Sequence, residues 1–132
     1  MQDVFDKYLS VILGNAGISN TESETLKREI YVCWLVRVGR RLDSKFTSRQ
    51  KEIINEMQAS ITEESFDEEK MRKYLKEYFN LSNSDNPQNI EDVKVFSEEA
   101  EKIVTQLLDT YFVNASPGKI DKVKRDLQLI SK

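Results

Sequence analysis

Seven consecutive apolar residues, Ile30-Tyr31-Val32-Cys33-Trp34-Leu35-Val36, constrain this chain more than any other stretch. Wound as a helix, they put apolar side chains on every face, because seven residues at 3.6 per turn cover the whole circumference. The run is β-branched and aromatic, so a strand is the rival reading. A strand needs a partner, and no second strand-like segment follows. The spacing therefore predicts a central, buried helix over about residues 20–45, carrying Leu26, Ile30, Trp34, Val38 and Leu42 at intervals of four. Within it, Cys33 reads as a buried small hydrophobe.

Further helices follow from periodicity and capping. Residues 3–13 place Val4, Phe5, Tyr8, Leu9, Ile12 and Leu13 on one face, and Gly14-Asn-Ala-Gly17 reads as a helix C-cap rather than a phosphate loop. Three Ser/Thr-x-x-Glu/Gln boxes, Thr21–Glu24, Thr47–Gln50 and Ser65–Glu68, announce helix starts. The second precedes the stripe Ile53, Ile54, Met57 and Ile61. The third precedes Met71, Tyr74, Leu75 and Tyr78. Residues 80–89 are rich in turn formers. Residues 90–114 form the longest pattern, with a seam of Val93, Phe96, Ala100, Ile103, Leu107 and Thr110 widened by Val104, Leu108, Tyr111 and Phe112. Ser116-Pro117 starts a last helix bearing Ile120, Val123, Leu127 and Ile130. Only four Gly and two Pro interrupt 132 residues. The expected fold is all-α, a single-domain irregular helical bundle of five or six helices over residues 1–132.

Composition restricts the chemistry. There is no histidine, and Cys33 is the sole cysteine. An intramolecular disulfide, zinc sites of Cys and His, Ser-His-Asp or Cys-His catalysis and a Glu-x-x-His di-iron centre are all ruled out. No enzyme, no cofactor and no metal is expected. The carboxylates Glu64, Asp67, Glu68, Glu98, Glu99 and Glu101 read as helix-end and solvated charges, since acids favour the positive end of the helix dipole. Tyr74, Tyr78, Phe79, Tyr111 and Phe112 sit at helical spacing and read as core. Nothing approaches the roughly 18–20 apolar residues of a membrane span, and Asp3 and Asp6 do not suit a secretory leader. A cytoplasmic location without membrane association is the expectation.

Charge is uneven. Residues 27–51 hold eight basic residues (Lys27, Arg28, Arg37, Arg40, Arg41, Lys45, Arg49, Lys51) against Glu29 and Asp43, in a chain of net charge −3. Residues 85–109 hold seven acids against Lys94 and Lys102. Two readings follow. The basic and acidic helices pair inside the bundle, or Arg37, Arg40, Arg41, Lys45 and Arg49 form a partner- or anion-binding face.

Phe46-Thr47-Ser-Arg49-Gln50-Lys-Glu-Ile53-Ile54 resembles the opening of the first helix in bacterial helix-turn-helix and winged-helix regulators. The resemblance spans these nine residues, and it implies nucleic-acid binding through the 37–49 face. The chain then departs from that pattern. No recognition helix or β-wing follows, and Thr62-Glu-Glu-Ser-Phe-Asp-Glu-Glu69 would repel DNA, as does a pI near 5.2. The expected function is a non-catalytic interaction module (adaptor, inhibitor or regulatory protein) that binds a protein partner through helix faces. Self-association through the 90–130 seam would give a homo-oligomer.

Overall fold

In the computed structural model the described residues are 2–63, 67–80 and 87–131, with side chains described for 3–63, 67–80 and 91–130. The protein is an all-α helical bundle, and no strand occurs among the described residues. Six helices follow in order: α1 (Gln2–Asn15), α2 (Asn20–Leu42), α3 (Ser48–Ile61), α4 (Glu68–Asn80), α5 (Pro87–Phe112) and α6 (Pro117–Ser131). A 3-10 turn, Asp43–Lys45, follows α2. The chain divides into two compact units, Met1–Glu29 with Ala100–Lys132, and Ile30–Glu99.

In the first unit, α1 ends as glycine spacing predicts. Gly17 takes φ +81°, its N–H reaches Gly14 O, and the Ile18 N–H reaches Leu13 O. This paired return to the last turn is the Schellman closure, which needs the left-handed residue that glycine supplies. Phe5, Leu9, Ile12 and Leu13 are buried, whereas Val4 is exposed. Helices α1 and α6 pack together. Ile12, Phe112 and Val123 make a buried cluster, joined by Val104, Leu107, Leu108 and Ile120. Apolar residues of α5 and α6 thus share one cluster with α1. Asn15 pins the helices at their edge. Its amide donates to Asp126 at 3.2 Å and accepts from Lys122 at 3.0 Å. The Asn15 hydrogen bond first, with Lys122 also contributing, holds the Asp126 carboxyl below its usual range against the opposing effect of desolvation. On the other side of α1, Lys27 bridges to Asp6 at 3.1 Å.

The second unit builds its core around Trp34. Trp34, Leu35, Val38, Ile53, Met57, Met71, Tyr78 and Phe96 are all fully buried. Helices α3 and α4 are packed neighbours. Trp34 and Phe96 meet edge to face at 5.5 Å, and Tyr78, Phe79 and Phe96 contact one another at 5.0–5.4 Å between centroids. Trp34, Tyr78 and Phe96 are core, as the spacing predicts for Tyr78, and Phe79 is half-buried at their edge.

Three local expectations need correction. The second helix begins at Asn20 and is capped, two residues before Thr21, by Ser19, whose Oγ accepts from the Glu22 N–H at 3.3 Å. The Thr47 box forms as expected, with both reciprocal hydrogen bonds. For α4, Ser65 lies outside the described residues, and Asp67 Oδ1 accepts from the Lys70 N–H at 2.8 Å. Most of the expected 80–89 loop also lies outside them, although 87–89 already belong to α5. The α5 seam is shifted: Val93 is 40% exposed and Thr110 is exposed, while Asp92 and Glu99 are buried. The acids can face inward because each finds a partner, as the site shows below.

The main correction concerns α2. The run 30–36 is helical, but it is not buried on every side. Tyr31, Trp34 and Leu35 point inward, whereas Cys33 is exposed and Val36 is 36% exposed. The core takes one face of a helix, and a run covering the full circumference must leave apolar atoms on the other.

Candidate functional site

The five basic residues singled out by the sequence lie on α2, the 3-10 turn and the first turn of α3. Arg41 is held between two carboxylates of α5, 3.1 Å from Glu98 and 3.2 Å from Glu99. Desolvation works against its charge, yet the hydrogen bonds to Glu98 and Glu99 outweigh that, and the guanidinium stays protonated even more firmly than usual. Lys45 bonds to Glu91, about two turns nearer the start of the same acidic helix. Arg49 is ringed by Glu77 at 2.6 Å, Glu52 at 3.1 Å and Glu56 at 3.5 Å. The hydrogen bond to Glu77 is the leading cause of its raised pKa.

Arg37 is half-buried and carries an interaction of its own. Arg40 is exposed and makes no ion pair among the described residues. The five therefore do not form one open cationic face. Arg41 and Lys45 are met by carboxylates of the acidic α5, and Arg49 by carboxylates of α3 and α4.

Behind this surface, two buried acids organise α5. The Tyr78 hydroxyl donates to Asp92 Oδ2 at 2.8 Å. Burial, then the hydrogen bond and the charge of Asp92, pushes the Tyr78 hydroxyl far above its ordinary pKa. About one turn along, Trp34 Nε1 donates to the Phe96 carbonyl oxygen at 2.8 Å. Glu99 answers Arg41. The face of α5 toward this core thus alternates an acid, an aromatic residue and an acid, the first met by Tyr78 of α4 and the other two by Trp34 and Arg41 of α2. The remaining acids are dispersed. Asp67 caps α4, Glu64 lies outside the described residues, and among the described residues no three potential ligands gather to hold a metal ion. No helix there is long and apolar enough to cross a membrane.

Sequence reasoning missed the outward stripe of α2. Glu29, Cys33, Val36 and Arg40 succeed one another at intervals of four, three and four, and all are exposed. On a helix that spacing keeps four side chains within one narrow sector. The signal was present in the apolar run itself, which offers more apolar surface than one core-facing side can use. No known protein family, curated protein or solved structure matches this chain.

Proposed function

We propose that the protein is a non-catalytic helical interaction module, an adaptor, inhibitor or regulatory protein, that binds a protein partner through the outer face of α2. The exposed apolar pair Cys33 and Val36, set inside the longest apolar run of the chain, carries this reading. Apolar surface retained on an otherwise well-packed helix favours association, and its charged neighbours give direction. Side-chain chemistry points the same way, since the chain has neither a histidine nor a second cysteine.

A nucleic-acid-binding regulator using residues 37–49 is the second reading, and Arg40, exposed and without an ion pair among the described residues, favours it. Carboxylate pairing of Arg41, Lys45 and Arg49 weakens the field such a face would need. Capture from native extract with the wild-type chain and Val36→Asp, alongside titration of duplex DNA at several salt concentrations, separates the two. The module reading expects a protein partner lost on Val36→Asp and no salt-dependent DNA binding. Indifference of capture to Val36→Asp, together with DNA binding that weakens steeply with salt, would overturn it.

A further inference from the structure

We propose that the partner of the α2 face is a second copy of this chain, docked antiparallel so that Glu29 of each copy meets Arg40 of the other across Cys33 and Val36. This rests on the interaction reading above and names its partner. All four residues sit on one uninterrupted helix, so their spacing needs only helix geometry. The stripe is acidic at one end, apolar in the middle and basic at the other. Its centre falls between Leu35 and Trp34, midway both between Cys33 and Val36 and between Glu29 and Arg40.

A two-fold axis through that midpoint maps the stripe onto itself. Each Glu29 then faces an Arg40, and each Cys33 faces a Val36. At about 1.5 Å per residue the two charge pairs stand roughly 16 Å apart, bracketing the apolar centre. A parallel arrangement would set Glu29 against Glu29 and Arg40 against Arg40, so repulsion selects the antiparallel one. Neither Glu29 nor Arg40 makes an ion pair among the described residues, which leaves both charges available to a partner. A strip one helix wide belongs to the small, weak class of interfaces, and we expect a dissociation constant on the order of 100 µM.

Sedimentation equilibrium of the whole chain and of Glu29→Arg and Arg40→Glu tests this. Each substitution places like charges opposite one another, so each variant alone should bind itself at least tenfold more weakly than the wild type. An equal mixture of the two restores opposite charges at both ends, and should form a heterodimer about as tight as the wild-type dimer. Unchanged circular dichroism would show that both variants are folded. A wild-type chain monomeric up to about 1 mM, or a mixture that stays monomeric, would overturn the proposal. A monomeric wild type that still captures a different protein in a Val36-dependent way sinks the second copy and leaves the module standing. A monomer with no Val36-dependent partner removes both.

Discussion

Trp34 is tied to Phe96 twice: its indole N–H donates to the Phe96 carbonyl oxygen at 2.8 Å, and the two rings meet edge to face at 5.5 Å. One side chain of α2 thereby fixes both the height and the rotation of α5 within the second unit. Trp34→Phe removes the donor and part of the ring volume. It should destabilise the fold by about 2–3 kcal/mol, read from urea unfolding followed by circular dichroism. A loss below about 0.5 kcal/mol would mean that Trp34 does not anchor α5.

Tyr78 and Asp92 make the second anchor, and it is sensitive to alkali. Folding raises the Tyr78 pKa, first through burial and then through Asp92. The neutral hydroxyl therefore contributes its full share below the ordinary tyrosine value near 10, and that share is lost as pH rises beyond it. Of the five tyrosines, Tyr78 at least should stay protonated by ultraviolet absorbance until the chain unfolds in alkali. Tyr78→Phe should cost about 1–2 kcal/mol at neutral pH and flatten the alkaline decline. An equally steep decline in the variant would assign the effect elsewhere.

Arg41 and Arg40 are sequence neighbours with opposite expected behaviour. Arg41→Ala removes one charged partner of Glu99, which is only 6% exposed, and should cost about 1–2 kcal/mol, discounted for the partial exposure of the arginine itself. Arg40→Ala should change stability by less than about 0.5 kcal/mol. Equal costs in denaturant titrations would contradict the pairing described for this surface.

The helical elements were legible because periodicity and caps report local physics. The stripe Ile53, Ile54, Met57 and Ile61, the Thr47 box and the Ser116-Pro117 start all stand where spacing put them. The α5 register was not legible. A hydrophobic seam drawn through Val93 and Phe96 assumes that acids face water, whereas tertiary partners, Tyr78 and Arg41 among them, make Asp92 and Glu99 inward residues. The outward face of α2 was hidden for a related reason. Composition says how much apolar surface a helix offers, while the packing of its neighbours decides which side is used.

Two glycines should respond to alanine with opposite signs. Gly17 holds φ +81° in the closure of α1, and alanine there is strained whatever the space, costing about 1–2 kcal/mol. Gly39 lies inside α2, where an added Cβ meets nothing within 4 Å. Gly39→Ala should stabilise by about 0.5–1 kcal/mol. Thermal unfolding of the pair reads both, and a shared sign would contradict the backbone described for one of them.

The account depends most on α2 presenting an apolar face to its surroundings, and Cys33 reports that face directly. Labelling of the native protein with an aromatic disulfide reagent should proceed without denaturant at close to the rate of a free thiol, and should slow as protein concentration rises and the stripe is covered. Labelling that waits on unfolding, at every concentration, would show Cys33 to be buried and would remove the face on which the proposed function stands.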